Sequence, residues 1–254
     1  MSSTQMPRAA LITGAGRRIG STIARALAQA GYAVVLHANH SRAEAEKLAS
    51  EIVSAGGRAS VVLADLADAA AVRGLVPAAA AFGPLTLLVN NASQFDEDEI
   101  GSLERARFER TLAVNLTAPL FLAQAFAAQA PEDTDASIVN IVDQRVLKPT
   151  PRFFSYTLSK SALASATVTL AQALASKLRV NAVAPGPTLP SPRQTAEQFV
   201  RQAAAVPLQH GPTPEDIAAA VLYLAQAKSV TGTVIAVDGG QHLAWRTADS
   251  DGAE

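Results

Sequence analysis

The sequence contains no cysteine. Disulfides and thiol catalysis are excluded, and the absence agrees with a reducing, cytoplasmic setting. Aromatic residues are scarce at 5%, with Trp245 the single tryptophan. An excess of either charge is missing too: 21 Lys and Arg against 22 Asp and Glu leave a net charge of −1. No electrostatic footprint for a nucleic acid exists. The opening stretch MSSTQMPRAALITGAG has too short an apolar run for a signal peptide. Residues 111–131 carry no charge, but Asn115, Pro119, Gln124 and Gln129 interrupt them. A buried or subunit-facing helix is expected there, and no membrane span. No metal site is expected.

What is present is an alternation of short apolar runs and helical patterns over 254 residues, 49% of them hydrophobic. Strands are expected at 9–13, 32–36, 59–64, 85–89, 138–142, 179–183 and 234–237. Helices are expected from Ile19 to Gly31, at 42–55, from Asp68 to Phe82, at 103–129, from Tyr156 to Lys177, near 193–205 and at 214–227. No linker or composition break divides them. The expectation is one α/β domain over 1–254, a doubly wound parallel sheet of about seven strands, with 244–254 a loose tail. Four prolines between Pro185 and Pro192 forbid regular structure and suggest a shaped loop over a site.

The stretch IVNIVDQRVLKPTPRFFSYTLSK, 138–160, holds the densest chemistry. Tyr156 and Lys160 stand four apart on a helical pattern, so they share a face at roughly 5–6 Å between Cβ atoms. A nearby cation favours phenolate, which makes the tyrosine a candidate proton donor. Asp143 closes a strand thirteen residues earlier. By itself the Tyr–Lys pair also fits an ordinary surface helix, and Asp143 also fits a simple ion pair with Arg145.

The start, TGAGRRIG at 13–20, is a strand, a glycine turn and a helix. Gly14, Gly16 and Gly20 permit a tight turn, and the helix N-terminus offers N–H groups to a pyrophosphate. The second strand ends in His37-Ala38-Asn39-His40-Ser41-Arg42, with no acid before Glu44. A carboxylate there would repel a 2′-phosphate, whereas the histidines, Ser41, Arg17 and Arg42 would attract one, pointing to NADPH. Ser41 also suits a helix N-cap. Asp65 at the third strand's end could accept from an adenine amino group. Asn90 and Asn91 can hold a turn through their amides. Asn115, in an apolar stretch, needs partners.

Taken together, TGxxxxxG, NNA at 90–92, Asn115, the Tyr156/Lys160 pair and Pro185-Gly186 resemble the short-chain dehydrogenase/reductase family over about 8–243. The resemblance implies hydride transfer with a nicotinamide cofactor, Tyr156 as proton donor, Lys160 on the nicotinamide ribose and Asn115 in a proton relay. It places Gly14, Arg17, Ile19, His37, Asn39, His40, Ser41, Asp65, Leu66, Asn91, Ala92, Ser93, Tyr156, Lys160, Pro185 and Gly186 on the cofactor. Most members have glycine at Arg18 and serine at Asp143. Both departures match the pteridine and dihydromonapterin reductase subgroup, as do Arg17, the 37–41 stretch, NNAS-x-F at 90–95 and VTGTVIAVDGG at 230–240. In that subgroup Phe95's position stacks on the pterin, Ser93's contacts cofactor phosphate, and the aspartate works with the tyrosine. Substrate contacts are expected from Phe95, Asp143, Tyr156 and Leu189.

Asp143 carries an independent chemical signal. Ketone reduction builds negative charge on oxygen, which an ionised carboxylate opposes. Reduction of a ring C=N bond needs a proton on nitrogen, which a carboxyl coupled to a tyrosine can support. The same carboxylate raises the tyrosine pKa against Lys160, and the two titrate together. The expected activity is reduction of a pterin-like heterocycle by NADPH. The alternatives are a carbonyl reductase of a ketone or 3-oxoacyl substrate, and a non-catalytic NADPH-binding regulator. The apolar helices at 103–129 and 155–177 suggest a homotetramer, with Trp245 or Arg246 reaching a neighbour's pocket.

Overall fold

Runs such as Ala33–Ala38 and Leu85–Asn90 are buried at every position, the signature of parallel strands covered on both faces. The computed structural model describes residues 8–132 and 134–245. Its strands are β1 (Ala9–Ile12), β2 (Ala33–Ala38), β3 (Arg58–Leu63), β4 (Leu85–Asn90), β5 (Ala136–Ile141), β6 (Leu178–Pro185) and β7 (Val234–Val237). They form one parallel sheet in the order β3-β2-β1-β4-β5-β6-β7. Leu11 of β1 lies between Val35 of β2 and Leu88 of β4. The strand order reverses there, so a crevice opens at the carboxyl ends of β1 and β4.

The helices are α1 (Arg18–Gln29), α2 (Arg42–Ser54), α3 (Ala69–Ala80), α4 (Arg105–Leu112), α5 (Ala118–Gln129), α6 (Phe154–Leu174), α7 (Ala196–Ala204) and α8 (Pro214–Gln226). One apolar layer joins the sheet to α3, α5 and α6 through Leu75, Leu122, Phe126 and Ala171. The other joins it to α1, α2 and α8 through Ile23, Leu27, Leu48, Ile217 and Val221. Burial of the Leu, Ile, Val and Phe side chains among these, at about 1.5–3 kcal/mol each, holds the layers.

Several local details differ from the sequence reading. The single helix expected at 103–129 is interrupted by a wide π-type turn at Ala113–Thr117, which carries Asn115 inward to zero exposure. The stretch Arg105–Gln129 is long and apolar enough to span a membrane, yet 50% of its most apolar window is buried in the fold. The Tyr156 helix stops at Leu174, short of Lys177. Ser41 makes no side-chain bond as cap of α2, whereas Asp68 caps α3 by accepting from the Ala70 N–H. Trp245 is 73% exposed, and Arg246 lies outside the described residues.

Candidate active site

The crevice is a cavity of about 890 Å³, running from the β1–α1 turn past the ends of β2 to β6 to the 185–194 loop. Its first half is built by the glycine turn. Gly14 has φ +64°, and a Cβ there would lie 2.9 Å from the Ala92 Cα. A Cβ on Gly20 would fall 2.3 Å from the Gly14 carbonyl oxygen and 2.6 Å from the Asn91 Nδ2. Only glycine lets the turn, α1 and the Asn91 amide meet. Asn91 donates to the carbonyls of Thr13 and Gly14 at 2.8 and 3.1 Å, as its place at a strand end suggested. Asn90 instead donates to Asn140 at 2.9 Å.

The start of α1 has neither a side-chain cap nor an acidic residue in its first turn. Its N–H groups can therefore receive a phosphate. Arg17, 3.6 Å from Glu44, and His40 and Ser41 line the same end of the cavity. His37 lines it too, but not as a phosphate-attracting cation. It is 2% exposed, accepts from the Gly14 N–H at 3.1 Å and faces the Ala64 carbonyl at 3.1 Å. Burial lowers its pKa, so it is a neutral peg between the glycine turn and β3. Asp65 accepts from the Ala67 N–H and from Arg110, which draws its pKa down. Its carboxylate keeps further lone pairs toward the cavity it lines, where an adenine amino group was expected.

Arg18 adopts φ 55°, the left-handed region that explains why glycine is expected at this position. Its guanidinium reaches across to the carbonyls of Pro190 and Leu189 at 2.9 and 3.3 Å, tethering the loop over the cavity. Leu189 thus enters through its backbone as well as lining the wall.

The chemical centre lies where β5 ends beside α6. The Tyr156 hydroxyl donates to Asp143 Oδ2 at 2.8 Å. Asp143 also accepts from the Arg145 N–H at 2.9 Å and stands 3.5 Å from its guanidinium. The ion pair and the tyrosine contact coexist. Burial, then the Asp143 charge, then its hydrogen bond hold the Tyr156 pKa well above that of free tyrosine, with Arg145 opposing. The expectation that Lys160 depresses it does not hold in this geometry. Lys160 donates to the Ile141 carbonyl at 2.7 Å, and burial lowers its own pKa to about 8.

Beside this pair stands an aromatic wall. Phe95 stacks on Phe153 at 4.4 Å and 2°, and meets Tyr156 edge-on at 4.6 Å. The guanidinia of Arg145 and Arg193 lie 5.1–5.5 Å from the two phenylalanine centroids, and Arg193 donates to the Phe95 carbonyl at 2.7 Å. Phe153, Arg145 and Arg193 were not foreseen as site residues. The run Arg152-Phe153-Phe154 was the available signal, three large residues just before Tyr156 in an aromatic-poor chain.

Gly14, Arg17, Ile19, His37, Asn39, His40, Ser41, Asp65, Leu66, Asn91, Ala92, Ser93, Phe95, Asp143, Tyr156, Lys160, Pro185, Gly186 and Leu189 all line this one cavity. Asn115 does not reach the wall. Its amide oxygen accepts from the Gln94 N–H at 2.7 Å, and its nitrogen donates to the Gln94 carbonyl at 2.9 Å and to Ser159 at 3.0 Å. It pins the loop that carries Ser93 and Phe95. Ser93 faces Asn115 Oδ1 at 3.3 Å.

A family model described as enoyl-(acyl carrier protein) reductase matches residues 14–242. A crystal structure of FolM alternative dihydrofolate reductase 1 from Brucella canis, complexed with NADP, superposes with a TM-score of 0.93 at 52% identity, covering 96% of this chain and 97% of that one. Pteridine reductase 1 of Leishmania tarentolae is 34% identical over 96% of this chain and 99% of its own length. An uncharacterised oxidoreductase of Methylorubrum extorquens is 38% identical over 92% and 97%. With matches across nearly its whole length and the glycine turn, Tyr156 and Lys160 gathered in one crevice, the chain belongs to the short-chain dehydrogenase/reductase family.

Proposed function

We propose that the chain reduces a pterin-like heterocycle of the dihydropterin or dihydrofolate type with NADPH. The observation that carries this reading is the 2.8 Å bond from the Tyr156 hydroxyl to the Asp143 carboxylate. The NADP complex of the Brucella protein and the named activity of the Leishmania relative support it.

The cavity suits the cofactor. The uncapped start of α1 would hold the pyrophosphate, and Arg17, His40 and Ser41 would hold a 2′-phosphate. Lys160, protonated below about pH 8, would hold the nicotinamide ribose. When bound, the nicotinamide supplies the hydride. The chain's own residues supply the proton. A carboxylate beside the acceptor stabilises a protonated ring nitrogen, which makes the adjacent carbon electrophilic, and it destabilises an alkoxide. Tyr156 Oη would turn its one proton from Asp143 Oδ2, where it rests in the free site, to that nitrogen, and the Asp143 carboxylate favours the cation that forms. Arg145, 3.5 Å from Asp143 and donating its backbone N–H to it, orients the carboxylate. The Phe95–Phe153 wall offers stacking worth about 0.5–1.5 kcal/mol beyond burial.

The cysteine-free chain suits a reducing cytoplasm. Exposed Phe121 on α5 and Leu158 and Val168 on α6 suit burial in a homotetramer.

The test is consumption of NADPH, and separately NADH, with dihydrobiopterin, dihydrofolate and a small diketone. Turnover of a dihydropterin with NADPH, well above the diketone rate, is expected. Turnover of the diketone alone refutes the substrate class, and cofactor binding without turnover of any refutes the catalytic reading.

A further inference from the structure

Asp98 belongs to none of the motifs above, yet it is the residue that joins the aromatic wall to the proton donor. It is 6% exposed, three residues beyond Phe95. The start of α6 cannot cap itself: Phe153, at the cap position, is left-handed (φ 57°) and its side chain makes no cap bond. Helix N-termini leave N–H groups that need acceptors. Asp98 supplies them from the loop that follows β4. Its carbonyl accepts from the Phe154 N–H at 3.2 Å, Oδ1 accepts from the Ser155 N–H at 3.1 Å, and Oδ2 accepts from the Ser155 hydroxyl. The next residue is Tyr156.

The loop is thus held at both ends, at Gln94 by Asn115 and at Asp98 by α6. Between them Phe95 is fixed against Phe153 and Tyr156. A carboxylate is the side chain that accepts from the Ser155 amide and hydroxyl together without offering a competing donor.

We propose that Asp98 is a positioning residue for this reaction: by clamping Ser155 and Phe154 it sets the placement of the substrate wall at Phe95 relative to the Tyr156 hydroxyl. The proposal rests on the reductase reading. The cofactor half, built on the β1–α1 turn and the ends of β2 and β3, makes none of these bonds.

The test compares wild type with Asp98→Ala, Asp98→Asn and Ser155→Ala. For each, kcat and KM are measured with dihydrobiopterin or, if wild type reduces only it, the diketone. NADPH affinity is measured separately from cofactor fluorescence. A misplacement of about 1 Å costs on the order of a hundredfold in rate. Asp98→Ala is expected to lower kcat by about ten- to a hundredfold with NADPH affinity unchanged. Asp98→Asn, which keeps an acceptor for the Ser155 N–H, regains much of the loss, and Ser155→Ala shows a smaller loss of the same kind. A cap that merely stabilises α6 would lower the melting temperature and leave kcat and KM alone. That result overturns the proposal, as does a turnover loss matched by an equal loss of NADPH affinity. If Asp98→Ala does not fold, the Asn and Ser155 variants decide, and wild-type kinetics in both overturn it. Wild-type turnover of the diketone alone refutes the pterin reading while the Asp98 comparison stands. Turnover of neither refutes both.

Discussion

Replacing Asp143 with asparagine keeps the side chain's size and removes its charge. In the wild-type geometry Oδ1 accepts from the Arg145 N–H at 2.9 Å and Oδ2 accepts from the Tyr156 hydroxyl at 2.8 Å. An amide oxygen can keep the first bond. The NH₂ group then faces Tyr156, and a group that only donates cannot accept the phenolic proton. A hydrogen bond to a charged group is worth about 1.5–3 kcal/mol. At about 1.4 kcal/mol per decade, kcat/KM on dihydrobiopterin falls about ten- to 150-fold. NADPH affinity, set at the other end of the cavity, stays unchanged. Two of the three causes that raise the Tyr156 pKa also vanish, leaving burial against Arg145. The tyrosinate absorbance that distinguishes Asp143→Asn from its Tyr156→Phe double variant therefore appears at lower pH than in the wild-type pair. Asp143→Ser, which restores a neutral donor, shifts preference toward the diketone. The reasoning is refuted if Asp143→Asn reduces dihydrobiopterin at a rate within about twofold of wild type, or if its tyrosine titrates at higher pH.

Lys160 carries a pH signature in stability. Folding lowers its pKa from 10.5 to about 8. Between those values the unfolded chain binds the extra proton, so this group adds stability as pH rises and imposes its full penalty of about 3 kcal/mol below pH 8. Urea denaturation should show wild type gaining on Lys160→Met by up to that amount between pH 8 and 10.5; a constant difference would count against it. Gly20→Ala places a Cβ 2.3 Å from the Gly14 oxygen, so fluorescence titration should find NADPH binding lost, and near-native affinity would show that the turn can relax.

The parts of the site legible in the sequence are those set by local spacing. Tyr156 and Lys160 share a helix face because they are four apart, and the glycine turn follows from a strand, three glycines and a helix. Parts decided by distant contacts were not legible. Arg18 takes a left-handed backbone while its guanidinium holds loop carbonyls at Leu189 and Pro190. His37 looked like a phosphate-attracting cation, but burial between Gly14 and Ala64 makes it neutral. The direction of the Tyr156 shift turned first on burial and then on which charge lies nearer. Asp143 bonds the hydroxyl directly, while Lys160 is turned to Ile141. The break at Ala113–Thr117 was announced only by Pro119, which cannot donate to the Asn115 carbonyl four residues back, and the bonds of Asn115 to Gln94 and Ser159 fix its place.

The most direct test of the Tyr156–Asp143 pair as proton source is a crystal structure of the ternary complex with NADP and a pterin. The account predicts the flat ring stacked on Phe95, with a ring nitrogen within hydrogen-bond reach of the Tyr156 hydroxyl and Asp143 still bonded to that hydroxyl. A pterin seated away from Phe95, or Asp143 turned wholly onto Arg145, would contradict it.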